Sequence, residues 1–248
     1  MLFHNSILYQ SQPVGILMLD TKFPRVPGDI GNARTWPFPV RYHIMESVIP
    51  DKVMGKEPLK ETLQQFIDTA KAVESCGVRA ITTSCGFLAI YQSDIAKEIS
   101  VPFVSSALIT VPFVSNIVGN GGVGILTERA ENLTEKYFKG IGWSQNDYNV
   151  KIYGMDKDAV FPQIFIGNRE EANLQELEND IKKLAEKVKE DASVKALVLE
   201  CTNFVPWGQL IGRITGLPVF HIVNVVQMVA GATLRRSYDG AVWRGLQP

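Results

Sequence analysis

Val78-Arg79-Ala80-Ile81-Thr82-Thr83-Ser84-Cys85-Gly86 reads as a buried strand that runs into a cysteine and then a helix. The same reading returns in Val194-Lys195-Ala196-Leu197-Val198-Leu199-Glu200-Cys201-Thr202, at an offset of 201 − 85 = 116 positions. That offset also pairs Tyr91 with Trp207, Ile95 with Ile211 and Pro102 with Pro218. Each copy therefore spells strand, cysteine, helix and a second short strand opened by an apolar-Pro pair. Self-similarity over such a stretch is the mark of a duplicated supersecondary unit.

Working outward, short apolar runs alternate with amphipathic stretches, which predicts an α/β fold with parallel sheets and helices on both faces. Val14 to Leu19 is a strand ending at Asp20, and residues 61–75 carry Leu63, Phe66, Ile67, Ala70 and Val73 at helical spacing. Gly77 sits where a helix C-cap belongs. Strands are expected over 78–83, 101–104, 122–127, 151–153, 194–199 and 217–221. Helices are expected over 86–99, 170–190, 206–214 and 224–234. Two lobes follow: residues 1–112 with 222–248, carrying Cys85, and residues 113–221, carrying Cys201.

The chain has 248 residues, 46% hydrophobic and 21% charged, in the range of a globular protein with a sizeable core. Twenty-five basic against 26 acidic side chains leave a net charge of -1, so no basic excess is present to draw a nucleic acid. The uncharged stretches 99–127 and 214–234 are interrupted by Pro102, Pro112, Pro218, His221 and Asn224, and read as buried elements rather than membrane spans. Three cysteines, an odd and small number, suit a reducing cytoplasmic setting rather than a disulfide scaffold. The start at Met1-Leu2-Phe3-His4 lacks the pattern of a signal peptide.

Cys85 and Cys201 each fall where a strand gives way to a helix, the edge at which open parallel sheets bind ligands. Amides at the start of the following helix are expected to stabilise a thiolate and to hold a carboxylate. Opposed thiols in one cleft suit the removal of a proton from carbon by one and its return to the other face by the second, with no cofactor and no metal. Cys76 has no repeat partner and reads as packing.

Thr82-Thr83-Ser84-Cys85-Gly86 and Leu199-Glu200-Cys201-Thr202-Asn203 resemble the two cysteine motifs of the aspartate/glutamate/hydantoin racemase superfamily. The resemblance implies two pseudo-symmetric flavodoxin-like lobes with the active site in the cleft between them. It implies that Cys85 and Cys201 are the catalytic pair, and that the substrate is a small carboxylate. Thr127 and Thr202 are similar to carboxylate-binding threonines of that family, and Asp20 lies where members carry a polar residue after the first strand. A homodimer or higher homo-oligomer is an expectation carried from the same resemblance.

The chain departs from the amino-acid racemases at Gly86 and Phe87, where those enzymes commonly have Asn-Thr, and at Asn203, where an acid or histidine is frequent. The segment from Phe23 to Asn32 is similar to the branch that contains algal dimethylsulfoniopropionate lyases. A lyase would use the same thiolate to take a proton next to the carboxylate and then expel a β leaving group, so an aspartate/glutamate racemase-like reaction is the first expectation and elimination the alternative. Gly86, Asp29 and Asn32 join the candidate substrate contacts, the last two on a turn-rich loop that is either a lid or a plain connection. Arg25, Arg34 and Arg41 flank that loop as candidate carboxylate partners, and Trp36, Phe38 and Trp207 as residues that narrow a pocket. The glycine cluster 119–124 precedes a strand rather than following one, so it reads as a turn and not as a dinucleotide fingerprint. A small-carboxylate-binding protein without chemistry is the alternative of a different class.

Overall fold

The computed structural model describes residues 12–54, 59–119 and 121–233. His4, Asn120, Leu234 and the segment to residue 248, named above, lie outside them. Eight strands form two parallel four-stranded sheets. The first holds β1 (Val14–Leu19), β2 (Val40–Met45), β3 (Ala80–Thr83) and β4 (Phe103–Val104) in the order β2-β1-β3-β4. The second holds β5 (Gly122–Thr127), β6 (Val150–Gly154), β7 (Val194–Leu199) and β8 (Val219–His221) in the order β6-β5-β7-β8. Both are the doubly wound 2-1-3-4 order, so the repeat read in the sequence is a repeat of topology.

The offset of 116 holds in detail. A 3₁₀ helix at Gly86–Tyr91 is answered by one at Thr202–Trp207, and the start of α3 (Gln92–Glu98) by the start of α8 (Gly208–Thr215). The sequence reading expected a single helix after each cysteine. The structure instead places a six-residue 3₁₀ helix first, with Pro206 inside the second copy.

The helices are α1 (Pro50–Val53), α2 (Lys60–Ser75), α3, α4 (Val111–Ile117), α5 (Glu135–Gly140), α6 (Val160–Phe165), α7 (Leu174–Lys189), α8 and α9 (Ile222–Thr233). Phe66, Ile67, Ala70 and Val73 of α2 are buried against Leu17, Leu19 and Ile81. Gly77 follows with φ of 84°, the left-handed turn that a residue with a Cβ resists. α7 begins at Leu174, later than expected, because the Asn173 side chain accepts from the Gln175 amide at 2.9 Å and caps the helix there.

Alternation along the strands builds two kinds of core. Leu17 and Leu19 face α2, while Leu197 and Leu199 face α7. The opposite faces meet in one cluster: Val14, Ile16 and Met18 join Val123, Ile125, Ala196 and Val198 there, with Val223 and Val226 of α9. Trp143 stacks on Phe138 at 4.4 Å within it and donates its indole N–H to the Leu108 carbonyl at 3.1 Å. Among the described residues, no helix is long and apolar enough to cross a membrane.

β2 is the strand that sequence reasoning missed, alongside the short helices α1, α4, α5 and α6. It is an edge strand whose Tyr42, His43 and Ile44 keep surface exposed, so no apolar run betrays it. Its pairing with β1 is nevertheless complete, from Val14 opposite Val40 to Leu19 opposite Met45.

Candidate active site

Backbone bonds extend both sheets past their last strand residues at corresponding points. The Ser84 amide donates to the Leu17 carbonyl at 3.0 Å, and the Glu200 amide to the Leu126 carbonyl at 2.9 Å. Cys85 and Cys201 come next in each copy, so the carboxyl ends of β3 and β7 aim both at the same space. That space is a small cavity lined by Cys85, Cys201, Glu128, Glu200 and Arg25, with Phe23, Phe87 and Phe165 as its aromatic walls.

The crossing between the two halves follows the same pseudo-symmetry. Residues 84 and 200 correspond, as do 86 and 202. The Thr202 hydroxyl donates to the Ser84 carbonyl at 2.7 Å. At the equivalent crossing Gly86 lies against Glu200, and a Cβ on residue 86 would overlap both the Glu200 carbonyl oxygen and its Oε1. The absence of a side chain at Gly86 is what lets the Glu200 carboxyl reach the vicinity of Cys85.

Two acids, Glu128 and Glu200, are 2% and 1% exposed and share the cavity with the thiols. The Cys201 thiol donates to Glu128 Oε1 at 2.9 Å, and Asn203 Nδ2 reaches the same oxygen at 3.4 Å. Glu200 Oε2 accepts from the Thr127 hydroxyl at 2.7 Å. Among the described residues, Glu128 Oε2 and Glu200 Oε1 have no hydrogen-bond partner. Burial pushes the Glu128 carboxyl up to about 7, partly offset by its bonds from Cys201 and Asn203. Burial and the neighbouring Glu128 push Glu200 up to about 8, against the Thr127 hydrogen bond. The two titrate as a coupled pair, and near neutral pH the site retains protons that exposed acids would have lost.

The thiols behave differently from the sequence expectation of lowered pKa values. Cys85 keeps part of its surface open to the cavity but sits deep in the protein. Desolvation and the Glu200 charge raise it far above an ordinary thiol, and the amides of Phe87 and Leu88 only partly oppose this. Desolvation, Glu128 and Glu200 raise Cys201 likewise, against the Asn203 amide. A six-residue 3₁₀ turn supplies two or three amides, too little to outweigh two carboxylates and the loss of water. Alkylation of the free protein at neutral pH is therefore expected to label the surface-accessible Cys76 first, with Cys85 and Cys201 lagging. Peptide mapping by mass spectrometry after timed iodoacetamide exposure checks the order.

Stability carries the same signature. Folding raises Glu128 and Glu200 from 4.5 to about 7 and about 8, so the folded chain binds protons that the unfolded chain releases, and stability falls as pH rises through that range. Buried His221 is pushed down from 6.5 to about 4 and acts in the opposite sense below 6.5. Above 6.5 the carboxyls act without it, and thermal melts are expected to show Tm decreasing from pH 6.5 to 8. Glu200→Gln reduces that decrease.

The remaining predicted residues surround the site rather than line it, with the exception of Gly86 and Thr202. Thr127 lies beneath Glu200, fully buried and bonded to it. Asp20 accepts from the Ser47 amide at 3.0 Å, away from the cavity lining. Asp29 is 2% exposed and holds the Arg25 guanidinium at 2.7 Å, and Asn32 donates to the Arg25 carbonyl at 2.8 Å. These two residues brace Arg25, and it is Arg25 that reaches the cavity. Its other terminal nitrogen donates to Thr21 at 2.6 Å, and its guanidinium lies 4.6 Å over the Phe23 ring. Phe23 meets Phe165 of α6 edge-on at 4.8 Å, so the loop after β1 roofs the cavity against the second half. Asn168, at φ 52°, accepts from the Lys22 amide at 2.7 Å and pins that roof. Trp36 and Trp207 pack in the cores rather than on the cavity. Glu128 and Glu200 were missed as site residues. Their signal was a carboxylate immediately beyond an apolar strand, where bulk water is out of reach.

No protein-family profile matches the chain. A dimethylsulfoniopropionate lyase of Durusdinium sp. clade D is 25% identical over 218 residues, covering 85% of this chain and 71% of that protein. Dimethylsulfoniopropionate lyase 6 of Emiliania huxleyi is 24% identical over 221 residues, again 85% of this chain but 57% of the relative's length, so the chain spans little more than half of that protein. Among solved structures, glutamate racemase from Francisella tularensis, in complex with D-glutamate, superposes with a TM-score of 0.55 at 17% identity, covering 92% of this chain and 85% of its own. Unliganded arylmalonate decarboxylase gives 0.56 at 12% identity, covering 92% and 96%. The resemblance carried by the two cysteine motifs thus holds for the whole architecture: the fold is the two-lobed α/β fold of glutamate racemase and arylmalonate decarboxylase, and the sequence is similar to dimethylsulfoniopropionate lyases.

Proposed function

We propose that this chain is a racemase-superfamily enzyme that moves a proton at the carbon next to a substrate carboxylate, using Cys85 and Cys201 and no cofactor. The observation that carries the proposal is the arrival of both thiols, from corresponding strand ends of two repeats, in one cavity beside a cation and two buried acids. Arg25 meets the substrate carboxylate, since its guanidinium is fixed by Asp29 and Thr21 and still has donors to spare. Glu128 takes the proton of the Cys201 thiol to which it is bonded, which gives the thiolate that the free site disfavours. That thiolate removes the α-proton and leaves an enediolate. Cys85 then delivers its own proton to the opposite face, which inverts the stereocentre. Free thiols of this kind suit a reducing, cytoplasmic setting.

Elimination is the second reading, favoured by the similarity to dimethylsulfoniopropionate lyases across 85% of the chain. The first step is shared. The enediolate electrons then form a carbon-carbon double bond while the β carbon-sulfur bond breaks, releasing dimethyl sulfide and acrylate.

Proton NMR in D₂O separates the readings. The panel is both enantiomers of aspartate and glutamate, hydantoins, and dimethylsulfoniopropionate. Racemisation gives loss of an α-proton signal with no new species, whereas elimination gives vinyl signals. No change in any of these substrates would remove the proposal.

A further inference from the structure

An enediolate needs hydrogen-bond donors aimed at its oxygens, and most donors around this cavity are already committed. The Thr202 hydroxyl is bonded to the Ser84 carbonyl. The Thr127 hydroxyl is bonded to Glu200. The amides of Phe87, Leu88 and Asn203 serve the two sulfurs. Arg25 is one remaining donor, and it approaches from the roof.

Glu200 stands out against that background. It is 1% exposed, and the described residues place no cation on it. One of its oxygens is satisfied by a hydroxyl donor, as a carbonyl oxygen would be. The other, Oε1, has no partner and lies against Gly86 at the Cys85 turn. An ionised carboxylate in this position would leave an acceptor buried and bare, next to a second acid. A protonated one would present a single O–H that no hydrogen bond among the described residues engages, at a cavity that a ligand carboxylate can enter.

We propose that Glu200 is carried as a neutral carboxylic acid that donates Oε1–H to a carboxylate oxygen of the substrate, with the Thr127 hydroxyl fixing its other oxygen. This rests on the proton-transfer reading above and adds the group that stabilises the enediolate. The bond strengthens as negative charge moves from the α-carbon onto the carboxylate oxygens, and no proton leaves Glu200 during the cycle. A carboxylic acid kept neutral by an apolar site is a known way to supply such a donor. The raised affinity of Glu200 for its proton agrees with that role. Ionisable groups facing it are Glu128 after β5, Cys85 after β3, Cys201 after β7 and Arg25 in the roof loop. Both thiols titrate far above the relevant range, and Glu128 and Glu200 titrate as a coupled pair, so the Glu200→Gln variant is what assigns the alkaline limb.

The test uses the whole chain with propionate and malonate as probes. Wild-type affinity, measured by calorimetry from about pH 7 to about 9.5, is expected to weaken roughly tenfold per unit once Glu200 ionises. Glu200→Gln, which keeps a donor and the size, is expected to bind with a flat profile. Infrared difference spectra should show a protonated-carboxyl band in wild type at neutral pH that disappears on the same alkaline limb and is absent from Glu200→Gln. On any substrate found by NMR, Glu200→Ala should slow α-proton exchange about 100-fold, and Glu200→Gln no more than about tenfold. A flat wild-type profile, a missing infrared band, or no binding of either probe overturns the assignment. The wild-type measurements decide this even if the variants fail to fold. Proton exchange without pH-linked binding sinks Glu200 as donor and leaves the function standing. Linked binding with no exchange on any substrate does the reverse.

Discussion

Cys85→Ser and Cys201→Ser are each expected to lower racemisation of the true substrate by about 1,000-fold or more, because each removes an acid-base group worth ~10²–10⁴ in rate. Serine keeps the shape and a hydroxyl but cannot supply an accessible anion, and Glu128 is matched to a thiol proton at 2.9 Å rather than to an alcohol. Stopped assays by polarimetry, alongside proton exchange in D₂O, give the comparison. If either variant keeps turnover within about threefold of wild type, the two-thiol mechanism is wrong. If the reaction is elimination, the loss concentrates on the one cysteine that acts as base, and vinyl product survives in the other variant. The pair of substitutions therefore separates inversion from elimination whichever thiol starts ionised.

Gly86→Ala is the second large effect. The added Cβ would overlap the Glu200 carbonyl oxygen, a backbone atom tied into the sheet through the Glu200 amide bond to Leu126. Backbone cannot swing aside as a flexible side chain can, so the two halves must separate at the cysteines. Overpacking of this kind costs about 3 kcal/mol. Displacement of Cys85 from its partner by a fraction of an ångström to one ångström costs a further ~100-fold in rate. Chemical denaturation should show the lowered midpoint, and NMR exchange the lost rate. Retention of wild-type stability would mean that residue 86 has room which the cross-lobe contact denies. The Thr202 crossing offers a contrast, since Thr202→Ser keeps the hydroxyl bond to Ser84 and is expected to be mild.

The duplicated strand-cysteine-helix unit was legible because each copy opens on Val-basic-Ala and runs through residues that are buried apart from Arg79 and Lys195, Val78 to Thr83 in one and Val194 to Leu199 in the other, up to a cysteine. The cysteines were legible because the unit repeats. The edge strand at Val40–Met45 was not, since His43 and Ile44 are exposed, only Met45 is fully buried, and no periodic signal distinguishes it from the loop around it. The acids of the site were hidden for another reason. Glu128 and Glu200 each occupy one position beyond a strand, and only the closing of the opposite half over them turns a surface-looking carboxylate into a buried one. Asp29 and Asn32 were read as substrate contacts, whereas they brace the loop after β1 from within, and that bracing depends on the loop's conformation, which sequence spacing does not encode. Their partner Arg25 is the residue of that loop that reaches the cavity.

Val14, Ile16 and Met18 pack in the same apolar cluster as Val123, Ile125, Ala196 and Val198, so the halves are welded along their length and not joined by a hinge. Opening them like a clamshell would expose that whole interior to water, a cost far beyond thermal reach on the timescale of turnover. The smaller element over the cavity is the strap that carries Phe23 and Arg25, latched to the other half by the Phe165 ring, the Asn168 side chain, the Lys22–Glu170 ion pair and the approach of Gly28 to Pro206. Substitution at that latch changes access to the interior without touching the interior itself.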